Sequence, residues 1–278
     1  MIVPNAPQSA ADVAGHYDEL DPVYRAIWGE HVHHGLWRTG SETPLEATEA
    51  LADLVAERLD LAPGQAVVDI GCGYGATAAR LAERHRVAVT GLTISAAQAR
   101  IAAARGNIAC LKRDWLDNRL ADAAFDRAYA IESSEHMVDK PLFFAEAFRV
   151  LKPGGRLVVC AWLAASAPSP FQIRHLLEPI CREGRLPSMG SREDYEALAR
   201  EAGFRAAGFE DVSREVRKTW SLVARRVAAG LVADRSLRRL ALSRGTKNRS
   251  FLLSLPRLML ALRTGAMRYG VFVWEKPQ

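Results

Sequence analysis

Cysteine is scarce: Cys72, Cys110, Cys160 and Cys181 are the only four in 278 residues, each far from the next. That spacing offers neither a zinc-ligand motif nor a disulfide framework, and points to a reducing, cytoplasmic setting. No run of about 18 apolar residues occurs, so no bilayer-spanning helix is expected. Residues Met1 to Asp12 lack a basic start leading into an apolar stretch, which argues against a secretory leader. Internal repeats and low-complexity tracts are also missing, as is any cluster spaced for a metal. What is present is ordinary for a folded protein: 49% hydrophobic and 25% charged residues, with 20 Gly and 13 Pro. The length suits one large α/β domain with an insertion, or two small ones.

Charge is unevenly spread. Val212 to Arg268 holds 14 Lys or Arg against Glu215 and Asp234, a net of +12, so the remainder carries −7 to reach the whole-chain +5. An acidic body with a basic C-terminal segment results, and the segment needs its own explanation.

Along the chain, Ser41 and Thr43 stand as caps before Pro44, which a first helical turn tolerates. Leu51, Val55 and Leu59 then recur at helical spacing up to the Pro63-Gly64 break. An apolar run, Ala66 to Ile70, leads into a glycine-rich turn and a helix over about 75–84. Strands are predicted at Val87 to Gly91, Ile108 to Lys112, Phe125 to Ile131 and Arg156 to Trp162, with a helix at about 95–105 between the first two. Tyr269 to Trp274 alternates aromatic and β-branched types and reads as a closing strand. This rhythm implies a parallel sheet covered on both faces. Stretches 163–190 and 213–267 are helical by pattern and would cap the crevice at the carboxyl ends of the strands.

The sharpest local signal is Val68-Asp69-Ile70-Gly71-Cys72-Gly73-Tyr74-Gly75. Alternate glycines allow a tight turn and close approach to a ligand at a helix mouth. The spacing is G-x-G-x-G, unlike the G-x-G-x-x-G of a pyrophosphate clamp. Asp69, at the strand end, suits an ammonium better than a phosphate. The combination fits S-adenosylmethionine, which carries an amine and no phosphate.

Taken with Val89-Thr90-Gly91-Leu92-Thr93-Ile94-Ser95 and Asp114-Trp115, this turn resembles class I S-adenosylmethionine methyltransferases. Within them the chain is similar to the branch of tocopherol C-methyltransferases, sterol methyltransferases and cyclopropane fatty acid synthases. His31-Val32-His33-His34-Gly35-Leu36-Trp37 resembles the tocopherol-type histidine-glycine-tryptophan segment, and Glu132 to Lys140 its catalytic-loop signature, with Ser134 and Val138 as departures. Arg149 to Gly155 and the terminal Tyr269-Gly270-Val271-Phe272 match as well. The resemblance implies a Rossmann-like α/β fold with a seven-stranded, mostly parallel sheet, N-terminal lid helices and a helical cap. It divides the chain into a lid (1–43), a cofactor-binding core (44–162), a partial cap and return to the sheet (163–212), a basic cap insertion (213–267) and a final strand (268–278). It also places Gly71, Cys72 and Gly73 with Asp69 on the methionyl part. Thr93 and Gln98 fall on the ribose, Asp114 and Trp115 on adenine, with Ile94 and Ile131 beside them. Tyr17 and the His33-His34-Gly35 turn fall where the lid closes.

Methyl transfer from a sulfonium needs alignment and exclusion of water, and a base only where the acceptor loses a proton. His136 is the candidate base, with Glu135 or Glu132 to orient it or stabilise its cation. In the basic segment, Val223, Val227, Leu231, Leu237, Leu240, Leu252, Leu253, Leu255 and Leu258 suggest an apolar lining and a lipophilic small-molecule acceptor. Its arginines suit a solvated surface, an anionic membrane surface or a phosphorylated acceptor; nucleic acid is not expected. A homo-oligomer is compatible with these features. Cyclopropane-type transfer to lipid acyl chains and a non-catalytic cofactor-binding protein are the alternative functions.

Overall fold

The computed structural model describes residues 1–233, Arg235, Arg238 and 251–278. Val67 and Val68 show how the sheet organises the molecule, because alternate strand residues face opposite sides. Val67 packs in a core with Leu51, Val55, Leu81 and Val158, and Val68 in another with Phe143, Phe144, Leu157 and Tyr195. The first core lies under helices α2 (Pro44–Leu59) and α3 (Ala76–His85), the second under α5 (Lys140–Val150) and α8 (Arg192–Glu201).

Strands β1 (Ala66–Ile70), β2 (Ala88–Thr93), β3 (Ala109–Lys112), β4 (Phe125–Ile131) and β5 (Leu151–Ala164) are parallel. Strand β7 (Met267–Glu275) is antiparallel to both β5 and β6 (Arg205–Asp211). The seven-stranded sheet has the order β3-β2-β1-β4-β5-β7-β6, so it is mostly parallel, as expected. The order reverses between β1 and β4, which opens a crevice at their carboxyl ends.

Over that crevice lies α1 (Ala10–Trp28), capped by reciprocal bonds between Ser9 and Asp12. From the sequence a helix is expected at Ala11 to Leu20. The structure carries it past Pro22, because Val23, Tyr24 and Ile27 bury against Trp220, Val223 and Leu255. Those partners belong to α10 (Lys218–Ala233) and α11 (Phe251–Thr264). Polar ties dock α1 on the core: Asp18 Oδ1 accepts from Ser95 Oγ and from the Ala97 N–H, and the Tyr74 hydroxyl donates to Asp21.

Stretch 163–190 is helical only in part: α6 (Pro170–Gln172), a π turn at Ile173–Leu177 and α7 (Glu178–Glu183). Val212 ends the return to the sheet, and α9 (Ser213–Val216) precedes α10. Val223, Val227, Leu255 and Leu258 are buried in the contact with α1 and α7, with Leu231 partly buried beside them. They form a core first and a cavity wall second. Leu237 and Leu240 lie outside the described residues, as do the side chains of Leu252 and Leu253. No helix among the described residues is long and apolar enough to cross a membrane.

One detail of the sheet matters for the site. Strand β4 stops pairing at Ile131, opposite Cys160, while β5 continues to Ala164 paired only with β7. The Trp162 N–H, which faces where β4 would have run on, donates instead to Oε1 of Glu135.

Candidate active site

Three contiguous cavities occupy the crevice. The first, about 750 Å³, is walled by Gly71 and Gly73 at one end and by Leu92, Thr93, Ile94, Gln98, Asp114, Trp115 and Ile131 along its length. Tyr17 of α1, Glu132 and His136 line it as well. The second, about 340 Å³, lies behind the glycine turn and is lined by His33, Asp69, Gly71, Cys72, Gly73 and Ile131, among others. The third, about 510 Å³, has an aromatic wall of Tyr17, Tyr24, Trp28, Trp162 and Trp220, with His34, Glu132, Glu135 and His136.

The glycine turn is shaped for close approach. Gly71, Gly73 and Gly75 have φ of 84°, 53° and 72°, a region that L side chains rarely adopt. A Cβ on Gly71 would overlap Ser133, whereas one on Gly73 would meet nothing within 4 Å. Gly73 therefore leaves open a cradle that its fold does not otherwise require. Asp69 is buried at the end of β1, and its Oδ2 accepts from the Tyr129 hydroxyl at 2.7 Å. Burial pushes its carboxyl up to about 7, against the pull of that hydrogen bond. Such a group is ready for a cationic partner. A largely apolar slot with Asp114 in its lining suits a planar base. The residues present thus fit S-adenosylmethionine.

Thr93 and Gln98 line the slot while bonded to each other, the Thr93 hydroxyl donating to Gln98 Oε1 at 2.8 Å. Asp114 Oδ1 accepts from the Leu116 N–H, and the indole of Trp115 donates to the Phe143 carbonyl, which fixes its ring. The histidine turn divides between cavities. His33 lines the glycine-turn cavity: its Nδ1–H donates to the His34 carbonyl, and Nε2 accepts from Thr77. Burial lowers its pKa. His34 lines the aromatic cavity. Gly35 lines none of the three; its N–H donates to Thr219 Oγ1, and a Cβ there would press on Ala47 at 2.6 Å.

Glu135 is buried, Glu132 and His136 are half-buried, and the three are differently held. Glu132 has φ of 53°, unusual for a side chain of its size, and its carboxylate takes four donors. Oε1 accepts from the His34 N–H and the Tyr269 hydroxyl, and Oε2 from His34 Nδ1 and the Trp162 indole, at 2.7–3.0 Å. Burial alone would raise its pKa; the neighbouring His34 and His33 and the two bonds from His34 bring it down to about 2. Glu135 caps the β5 overhang and accepts from Ser134, and burial raises its carboxyl to about 7. His136 is clasped between α1 and the loop before α8. Its Nδ1–H donates to the Arg185 carbonyl at 3.3 Å, so Nε2 accepts from the Tyr17 hydroxyl at 3.0 Å. Burial lowers its pKa to about 4. Among the described residues Tyr17 and Arg185 hydrogen-bond the ring and orient it, while Glu132 acts on it through its charge.

The aromatic wall escaped sequence reading. Tyr24 and Trp28 sit one turn apart on α1, Trp162 on the β5 overhang and Trp220 on α10. Only the i, i+4 spacing of the first two was visible, and it reads equally as a core stripe.

The sequence pattern of the family described as mycolic acid cyclopropane synthetase matches residues 5–232. The 27-O-demethylrifamycin SV methyltransferase of Amycolatopsis mediterranei is 37% identical over 223 residues, 76% of this chain and 79% of that protein. The chloroplastic tocopherol O-methyltransferase of Arabidopsis thaliana is 30% identical over 292 residues, 95% of this chain and 82% of that one. Among solved structures, the cyclase SpnF superposes with a TM-score of 0.82 at 30% identity, covering 99% of this chain and 98% of that one. The mycolic acid cyclopropane synthase CmaA1, complexed with SAH and CTAB, gives 0.85 at 24% identity over 98% and 99% of the two chains, a likeness of fold. With the sheet order, the glycine turn and the buried Asp69 already in place, these matches show that the chain belongs to the mycolic acid cyclopropane synthetase family and is a class I S-adenosylmethionine-dependent methyltransferase.

Proposed function

We propose that this methyltransferase acts on a hydroxyl of a neutral, lipophilic small molecule, a phenol or a hydroxylated natural product, in the cytoplasm. One observation carries the reading: the cofactor cavity and the aromatic cavity share Tyr17, Val32, Glu132 and His136. A methyl carried in the first is thereby presented to an acceptor in the second. S-adenosylmethionine supplies an electrophilic methyl carbon on a sulfonium; the protein's part is to align and to keep water out.

The aromatic cavity also speaks to acceptor charge. Glu132 and Glu135 line it, and neither arginine nor lysine is among its described lining residues. A phosphorylated acceptor would meet carboxylates there without a cation to receive it, so the arginine-rich segment is not read as a diphosphate site. Its described arginines are in part committed elsewhere: Arg257 pairs with Glu183 and Arg268 with Asp211. The O-methyltransferases among the relatives act on oxygen by name, which supports a hydroxyl acceptor.

In this proposal Asp69 meets the cofactor amine, and Thr93, Gln98, Asp114 and Trp115 hold the nucleoside. Tyr17 and His136 form the clasp that closes α1. Since Ala10, Val13 and Tyr17 of α1 line the cofactor cavity, cofactor exchange requires that helix to move. The test is transfer of labelled methyl groups to a panel of phenols, hydroxylated macrolactams, prenyl diphosphates and unsaturated phospholipids. Transfer to uncharged hydroxyl acceptors is expected; transfer confined to diphosphates or acyl chains overturns the reading.

A further inference from the structure

His136 has both ring nitrogens engaged in the closed site. His34 does not. Its Nδ1 lies 3.0 Å from Glu132 Oε2, and an ionised carboxylate only accepts, so the proton sits on Nδ1. In the uncharged ring the lone pair then lies on Nε2. The ring is 2% exposed, and Nε2 is buried without a hydrogen-bond partner among the described residues. Trp162, Trp220 and Tyr269 pack around it at centroid distances of 5.5, 5.2 and 5.2 Å, which fixes its plane. The residue lines the aromatic cavity, where the acceptor is placed. A carboxylate that fixes the tautomer and a bare nitrogen beyond it are the two parts of an oriented general base.

We propose that His34 is the proton acceptor of the transfer and that Glu132 is its positioning residue, an inference that rests on the hydroxyl-acceptor reading above. In the step, the acceptor's O–H bond breaks and its proton passes to His34 Nε2. The acceptor oxygen bonds to the methyl carbon, and the methyl–sulfur bond breaks with its electron pair staying on sulfur. Imidazolium forms next to the Glu132 carboxylate, which balances it. The other titratable groups facing this ring and cavity are Tyr269 from β7, Tyr17 and Tyr24 from α1, and Glu135 and His136 from the loop after β4. Tyr17, Tyr24 and Tyr269 are all raised by burial and stay neutral through the working range.

The test uses the full chain labelled with ¹⁵N-histidine, saturated with S-adenosylhomocysteine and titrated with 2-naphthol as the hydroxyl probe. Expected for the uncharged His34 ring are a protonated Nδ1 and a bare Nε2, with the naphthol moving that Nε2 signal. His34→Asn, whose amide can still donate to Glu132, identifies the signal and tests folding. It should lower methyl transfer to 2-naphthol by about 10²–10⁴-fold in kcat, leaving KM and cofactor affinity within threefold. Glu132→Gln should let the proton redistribute between the two nitrogens and shift the acid limb of the rate profile. A His34 protonated on Nε2, a naphthol titration that leaves this nitrogen unmoved, or an Asn variant with parental kcat overturns the proposal. Wild-type protein that methylates no hydroxyl acceptor would instead count against the proposed function, since the tautomer reading does not depend on turnover.

Discussion

Replacing Asp69 by Asn should make the cofactor-free protein more stable and its cofactor binding worse. The carboxyl stands at about 7 in the fold against an ordinary 3.8, because burial disfavours its charge. A shift of roughly three units corresponds to at most about 4 kcal/mol. A group raised on folding contributes stability that is fully present below its unfolded pKa and is lost as pH rises through its folded one. For Asp69 that window runs from about 4 to about 7. Asn has no charge to bury and can still accept from the Tyr129 hydroxyl, so the variant should match the parent near pH 4 and exceed it increasingly up to pH 8. Urea unfolding at pH 4.5, 6 and 8 reads this directly. Binding should behave oppositely. Below pH 7 the parent must release a proton to meet the cofactor's ammonium, so its affinity should fall up to tenfold per unit of pH, and the slope should vanish in the variant. Loss of a charge-assisted bond should weaken binding by about 2–3 kcal/mol, or about 30- to 150-fold. Calorimetry in buffers of different ionisation heat detects the proton release. A variant equal to the parent in stability at pH 8, or one that keeps the parental slope of affinity with pH, refutes the argument that this carboxylate waits for a cation.

Glu135→Gln should show the same kind of stability gain, between about 4.5 and 7, but with cofactor affinity unchanged, because Glu135 caps the β5 overhang and lines only the aromatic cavity; calorimetry checks the contrast. Gly71→Ala should cost about 2–4 kcal/mol in denaturant unfolding, combining left-handed strain with overlap on Ser133. Gly73→Ala should cost only about 1–2 kcal/mol yet lose most cofactor affinity, and equal folding penalties would contradict the cradle. Tyr17→Phe removes the bond to His136 and should speed cofactor product release by about 3- to 10-fold, an effect of about 1 kcal/mol; hydrogen exchange across Ala10–Trp28 should rise with it.

How much of this was legible follows from where each signal resides. Strands β1 and β4 announced themselves because both of their faces are buried toward the carboxyl end, leaving runs such as Val67 to Ile70 and Tyr129 to Ile131. Strand β6 did not: Arg205 to Asp211 is an edge strand, mostly exposed, and its composition is that of a loop. The reach of α1 was hidden by Pro22, whose cost is outweighed by the burial of Val23, Tyr24 and Ile27. In the site, the slot lined by Gly71, Thr93, Asp114 and Ile131 was readable because these residues follow or end individual strands in sequence. Partnerships across the molecule were not. The four donors to Glu132 come from positions 34, 162 and 269, and the clasp on His136 from positions 17 and 185. No local spacing encodes such distances.

Strand β5 runs past its parallel neighbour as a ribbon shared only with β7, in which Trp162 sits opposite Tyr269. The ribbon contributes to the aromatic side of the crevice and nothing to the slot between Gly71 and Trp115. Under the function proposed above, substrate preference is borne largely by an appendage of the sheet, together with α10 and one side of α1. Such a layout lets one half be rewritten while the other stays fixed. Exchanging Trp162, Trp220 or Trp28 for other side chains should redirect which molecule is methylated without retuning the methyl donor, so this chain is suited as a chassis for altered acceptor scope.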